Sequence, residues 1–77
     1  MLVIIVMRND KEMILKMFPV GSVVELISMD DVQAPPSGTR GKIYNVDDIG
    51  QIHVKWDNGS SLALIYSVDK FKLIADD

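Results

Sequence analysis

The sequence predicts a small all-β fold of five short strands, preceded by a short helix. The main observation is the segment from Gln51 to Leu64, where apolar and polar residues alternate on both sides of Asn58-Gly59. This pattern is typical of a β-hairpin with one buried face. Further short alternating segments lie between turns rich in Gly, Pro, Asn and Asp. One hairpin cannot cover its own apolar face, so these segments are expected to complete the sheet.

Size and composition limit the classes of function. The 77 residues make one small domain. Cysteine is absent, so disulfides and thiolate chemistry are excluded, in agreement with a reducing, cytoplasmic location. The net charge of −3 disfavours general binding to phosphate backbones. No apolar run reaches the ~18–20 residues of a membrane span, so we expect no membrane partner.

The first eight residues are expected to form an apolar extension. Residues 1–7 read MLVIIVM and lack the charged start and cleavage site of a signal peptide. One interpretation is an extra strand that pairs with a sheet edge or with a second chain, which would give a homodimer. The other is a poorly ordered extension upstream of a true start at Met7 or Met13.

Residues 9–17 predict a short helix that packs on the sheet domain, which spans residues 18–77. Asn9 or Asp10 is expected to cap the helix, and Pro19 ends it. Its predicted apolar stripe consists of Met13, Ile14 and Met17.

Five strands follow the helix. They are predicted at Ser22 to Ser28, Thr39 to Val46, Gln51 to Asp57, Ser61 to Ile65 and Lys70 to Ile74. Five short strands, a long first loop and a single turn before the last strand indicate an SH3-like barrel, whose closure removes open edges. The alternative architecture is an open five-stranded meander capped by the helix.

Glycines and asparagines predict the turns. Gly50 is expected in the left-handed conformation after Asp47-Asp48, and Asn58-Gly59 predicts a type I′ turn. Gly41, inside the second strand, indicates a bulge or the close approach of another backbone. The loop from Met29 to Gly38 contains Pro35-Pro36 and is expected to be rigid.

Several stretches resemble a known family. They read FPVGSVVELISMDD, APPSGTRGKI, VDDIGQIHVKWDNGSSLALI and VDKFKLI, in this order, within residues 18–74. This combination is similar to domain of unknown function family 4314. The resemblance implies a small SH3-like domain of bacteria, phages or other mobile elements, with no assigned activity.

Two acidic pairs and a tyrosine are the first candidate site. In an SH3-like barrel the first loop and the second hairpin loop flank one groove, which brings together Asp30, Asp31, Asp47, Asp48 and Tyr66. This arrangement favours a non-enzymatic interaction module that binds a basic or proline-rich protein or peptide segment.

Two alternatives remain open. Arg40, Lys42, Tyr44 and Lys55 form a small basic stripe with an aromatic neighbour, which would suit weak nucleic-acid binding. The second alternative is a structural or oligomerising accessory protein of a mobile element, in which residues 1–7 pair between chains.

Catalysis is the least expected class. The sequence offers no nucleophile–base pair, no phosphate-binding glycine loop and a single histidine, His53, expected on the outward, solvated face. We therefore predict no catalytic residue, no metal site and no cofactor. Trp56 is expected in the core, and Asp57 is expected to accept backbone hydrogen bonds in its turn.

Overall fold

A five-stranded antiparallel sheet and one helix make up the computed structural model, which describes residues 11–74. The helix, α1, covers residues 11–17 of this range, so the expected extension at residues 1–8 and the helix cap lie outside the described residues. The strands are β1 (Val23–Ser28), β2 (Arg40–Val46), β3 (Gln51–Trp56), β4 (Leu64–Ile65) and β5 (Lys70–Leu73). The all-β prediction is confirmed, and only β4 is much shorter than expected.

The order of the strands across the sheet is β4-β3-β2-β1-β5. The first four strands follow one another as hairpins, and β5 then returns to pair with β1. Strands β4 and β5 therefore lie at the two edges of an open sheet. This differs from a simple meander, and the hydrogen-bonded closure of the expected barrel is not part of the described pairing.

The core lies on one face of the sheet, where alternate strand residues meet. The buried apolar residues are Ile14, Val24, Leu26, Ile43, Val46, Ile52, Val54, Trp56 and Leu64. The inward direction predicted for Val24 and Leu26 is confirmed. Trp56 is only 4% exposed, as expected of a core residue. Its indole Nε1–H donates to the carbonyl oxygen of Leu62 at 2.8 Å, so burial leaves no polar atom of the side chain unpaired.

Helix α1 contacts the core through a different stripe from the one predicted. Ile14 is fully buried, and Leu15 and Phe18 pack against the core, whereas Met13 and Met17 remain exposed. The predicted stripe is therefore correct only at Ile14. Phe18 lies just past the helix, and its ring packs in a tilted arrangement against that of Phe71 of β5, with the ring centroids 5.1 Å apart.

Both hairpin turns end in a left-handed glycine. Gly50 has a φ of 87°, as predicted, and its N–H donates to the carbonyl of Asp47. Gly59 also has a φ of 87°. Among the described residues, only glycines have positive φ. A type I′ turn needs positive φ at Asn58 as well, so that prediction is wrong. The N–H of Gly59 donates to the carbonyl of Trp56, which makes Asp57 and Asn58 the central turn residues.

Gly41 allows β2 and β3 to approach closely. A Cβ atom at this position would lie 2.5 Å from Cγ1 of Val54 and 2.7 Å from the carbonyl oxygen of Lys55. The predicted close approach of another backbone is confirmed, and the irregularity in this ladder lies further on, between Ile43 and Asn45.

The loop between β1 and β2 folds back on the sheet. Pro35 is buried, Met29 packs against the core, and the N–H of Gly38 donates to the carbonyl of Leu26 at 2.7 Å.

In the described part of the chain, no helix has the length and hydrophobicity of a membrane span.

Candidate functional site: the basic face of the sheet

Strand alternation gathers positive charge on the face opposite the core. Residues 19–74 contain five basic side chains, and all five project from this outer face. We call them the basic face: Arg40, Lys42, Lys55, Lys70 and Lys72. The residues next to them along the strands are buried or partly buried, except Leu73 of β5. Because side chains alternate between the two faces of a strand, the basic side chains point outward.

Acidic side chains lie elsewhere, with one exception. The turns and loops carry Asp30, Asp31, Asp47, Asp48, Asp57 and Asp69. Glu25, in the middle of β1, is the only acidic strand residue of the described chain. The net negative charge of the protein therefore conceals a separation of the two signs between the loops and one sheet face.

Glu25 neutralises one end of the basic face. It lies directly opposite Arg40 of β2 and Lys72 of β5. Its carboxylate accepts from the Arg40 guanidinium at 3.0 Å and lies 3.6 Å from the Lys72 ammonium. The hydrogen bond from Arg40, helped by the charge of Lys72, lowers the pKa of Glu25. Arg40, predicted to contact nucleic acid, is thus engaged within the protein.

Lys42 and Lys55 form a second row in which no carboxylate intervenes. The two residues are direct partners in the β2–β3 ladder. Neither has an ion pair with any residue between 11 and 74. Like charges directly opposite on one sheet face repel each other, and this row therefore favours a bound anion.

A cavity opens beside this row. It has a volume of about 320 Å³. Its lining consists of Tyr44, Val54, Lys55, Trp56, Gly59, Ser60 and Ser61. Tyr44 is about half exposed, as predicted, and its ring lies 6.0 Å from that of His53. An aromatic side chain, aliphatic surface and a lysine thus meet beside the part of β3 that does not pair with β4.

His53 lies beside the cavity and is held by Asp47. Its Nε2 is 2.8 Å from Oδ2 of Asp47, and both side chains are less than one-third exposed. The expectation of a freely solvated histidine was wrong. The hydrogen bond from His53 holds the pKa of Asp47 below its usual value, helped by the backbone N–H groups of Gln51 and Ile49 and opposed by partial burial.

The hydrogen bond between Asp47 and His53 predicts a pH-dependent stability. Folding lowers the pKa of Asp47. The ionised carboxylate therefore stabilises the fold at a pH above its unfolded pKa of about 3.9, and this stabilisation is lost as the pH falls through its folded pKa. Asp47→Asn should lower the free energy of unfolding by about 0.5–1 kcal/mol near neutral pH. In urea-denaturation curves, the difference between Asp47→Asn and the natural protein should shrink as the pH falls below the unfolded value of about 3.9.

Asp31→Asn is the matched control. Asp31 accepts a turn hydrogen bond from the N–H of Gln33 but takes part in no ion pair within the described residues. An equal loss for both variants, or a loss for Asp47→Asn that does not change with pH, would contradict the role assigned to the Asp47–His53 hydrogen bond.

The predicted acidic groove is only partly assembled. Tyr66 and the turn after β2 line one small cavity of about 90 Å³, together with Ile14, Ile49, Gly50, Ile65 and Ser67. Asp48 forms an ion pair with Lys11 at 2.7 Å, and Asp47 is bound to His53. Both carboxylates on this side therefore already have partners inside the protein.

Asp30 and Asp31 do not join this group. The N–H and the carboxylate of Asp31 are bonded within its own loop, to Met29 and Gln33. In the described range, no hydrogen bond or ion pair connects either residue to Asp47, Asp48 or Tyr66.

Some residues of the site were missed by sequence reasoning. Lys70 and Lys72 belong to the basic face, and Glu25 lies on the same side of the sheet. The alternation of β1 and β5 places all three outward, but only the pairing of β5 with β1 brings them together. Ser60 and Ser61 line the cavity but carried no signal in the sequence. The backbone acceptor role expected of Asp57 belongs instead to Asn58, whose Oδ1 accepts from the N–H of Ser60.

The described residues contain no cluster of His, Asp and Glu suited to a metal ion.

Comparisons with known proteins identify the family. Searches of curated proteins and of solved structures returned no match. A family model described as Domain of unknown function (DUF4314) matches residues 7–74, which include helix α1 as well as the whole sheet. The resemblance seen in residues 18–74 is thereby confirmed, and the chain belongs to this family.

Proposed function

We propose that this protein is a non-enzymatic interaction module that binds a segment of a partner protein on its basic face. The observation that carries the proposal is the separation of charge, with five cations on one sheet face and the aspartates in the loops. A face on which positive charge predominates attracts and orients a partner of the opposite sign. The proposal includes the cytoplasm of a bacterium or phage host as the place of action.

An SH3-like barrel is the architecture that we propose for this module. Strands β4 and β5 lie at opposite edges, about 19 Å apart if the sheet were flat. Only residues 66–69 connect them, and the N–H of Asp69 folds back to the carbonyl of Ile65 at 2.8 Å. So tight a turn supports a strongly curled sheet whose edges approach each other.

The partner segment is acidic in this proposal. The earlier expectation of a basic segment at the acidic loops has less support, because Asp47 and Asp48 are bound to His53 and Lys11. Asp30 and Asp31 remain as an isolated pair on a separate loop. The lysines of the basic face, in contrast, include three without an ion pair in the described chain: Lys42, Lys55 and Lys70.

Chemical-shift mapping tests this function. Short oligoglutamate and oligolysine peptides are titrated into ¹⁵N-labelled protein at low salt. We expect oligoglutamate to shift amide signals of β2, β3 and β5, with binding that weakens as salt screens the charges. Shifts caused only by oligolysine and confined to the loops of Asp30-Asp31 and Asp47-Asp48 would overturn the proposal and favour the acidic groove.

Single-stranded nucleic acid is the second candidate partner. The exposed Tyr44 lies beside Lys42 and Lys55, an arrangement that suits a stacked base with a neighbouring phosphate. The engagement of Arg40 by Glu25 reduces the charge available for this purpose. Titration with oligothymidylate at about 50 mM salt separates the two candidates, since nucleic-acid binding is strongest at low salt.

A further inference from the structure

We propose that the cavity beside Tyr44 is the specificity site of the basic face. In this assignment the cavity takes one aromatic or large aliphatic side chain of an acidic peptide segment. A neighbouring carboxylate of the same segment lies between the ammonium groups of Lys42 and Lys55. The inference rests on the proposed function and adds to it the residues that select the partner.

The size and lining of the cavity fit one apolar side chain. Its volume of about 320 Å³ is at the lower end of the range of ~300–1,000 Å³ for ligand pockets. Tyr44, Val54 and Trp56 provide apolar surface, whereas Ser60 and Ser61 provide hydroxyl groups. A rigid tyrosine wall beside a partly filled apolar space is typical of the anchor sites that dominate binding energy.

The lysine row supplies the charge complementarity. Partners in an antiparallel ladder have Cβ atoms about 4.5–5.5 Å apart, so one carboxylate has room to accept from both ammonium groups. The adjacent row contains such an arrangement within the protein, where Glu25 lies between Arg40 and Lys72. The Lys42–Lys55 row has the two cations but lacks the carboxylate, which the peptide would supply.

The same charges favour a peptide over a nucleic-acid strand. A strand presents a phosphate at every nucleotide and needs a continuous row of free cations. Only Lys42 and Lys55 meet this condition near the cavity, because Arg40 is neutralised by Glu25. Asp57 lies exposed in the turn that follows β3 and would repel an extending phosphate backbone. A peptide with one or two carboxylates beside an apolar anchor avoids this repulsion.

Peptide pools with defined chemistry provide the test. Three pools carry a central Phe, Leu or Ala flanked by glutamates, a fourth carries Phe flanked by lysines, and oligothymidylate is included as a strand probe. Binding is measured by the fluorescence of Trp56, the single tryptophan, and by amide shifts. We expect the Phe and Leu acidic pools to bind at least about tenfold more tightly than the Ala acidic pool. Their shifts should centre on Tyr44, Lys55 and Ser60.

Matched variants separate the site from general charge attraction. Lys55→Glu and Lys70→Glu change the net charge equally, but only Lys55 lines the cavity. Lys55→Glu should weaken binding of the acidic Phe pool by about tenfold or more, and Lys70→Glu by less than about threefold. Tyr44→Ala, at an exposed position, should reduce the preference for Phe over Ala.

Any of the following outcomes would contradict the assignment of the cavity. Equal effects of Lys55→Glu and Lys70→Glu, or shifts centred on Arg40 and Lys72, would reject the cavity while the proposed function stands. Binding of oligothymidylate in preference to every peptide pool would mean that the partner is a nucleic acid and not a peptide. If no acidic pool bound, the cavity assignment and the proposed function would both fail.

Discussion

Leu64→Ala is expected to lower the free energy of unfolding by about 3 kcal/mol. Leu64 is fully buried and is one of only two residues in β4. Because so short a strand gains little from its ladder, this side chain holds the β4 edge against the core. A domain of this size has about 4–12 kcal/mol in total, so the loss is a large fraction. Urea denaturation of both proteins, followed by tryptophan fluorescence, measures the change.

Ile65→Ala is the control for this prediction. Ile65 is the neighbouring residue of the same strand, but its side chain is 42% exposed. The same truncation there should cost less than about 1 kcal/mol. Similar losses for the two variants would mean that β4 is not held by the burial of Leu64.

Gly41→Ala should destabilise the protein by a comparable amount, about 3 kcal/mol, for the opposite reason. The added methyl group would meet Cγ1 of Val54 at 2.5 Å, the carbonyl oxygen of Lys55 at 2.7 Å and Cα of Trp56 at 3.0 Å. Two of these neighbours are backbone atoms, which cannot rotate away as a side chain can. The β2–β3 ladder must therefore separate locally. In hydrogen-exchange measurements, the backbone amides of these two strands should lose their protection first.

Gly59→Ala tests whether the clash is the cause. Gly59 has no atom within 4 Å of the corresponding Cβ position, but its φ is +87°. Replacement there should cost about 1 kcal/mol through backbone strain alone. If Gly41→Ala were as mild as Gly59→Ala, the two strands would be less closely packed than described.

Much of the fold was predictable from alternation and turn chemistry. The inward side chains of β1 and β3, the left-handed Gly50 and the buried Trp56 all follow from a period of two and from glycine at a turn. The failures have identifiable causes. Asn58 keeps negative φ because the hairpin closes from Trp56 to Gly59, which leaves only the glycine left-handed. Phe18, just past α1, packs against Phe71 of β5, a contact between distant residues that helical periodicity does not reveal.

The candidate site was predictable only in part. Arg40, Lys42, Tyr44 and Lys55 were grouped correctly on one face, since they belong to two strands joined by a short turn. The ion pair between Arg40 and Glu25 depends on the β1–β2 register. The hydrogen bond between Asp47 and His53 depends on the conformation of the turn between β2 and β3. Pairings of this kind are set by positions in space that neighbouring residues in the sequence do not encode.

The strand segments, the buried side of most strands and the lack of thiol chemistry follow from the residues alone. These properties depend on side-chain type and on a period of two, which are local. The tertiary structure decided which carboxylates are already engaged, which lysines have no ion pair in the described chain, and where a cavity opens. Those properties arise when β5 pairs with β1 and when residues 60–62 pass the edge of β3, because contacts between distant segments exist only after the sheet has formed.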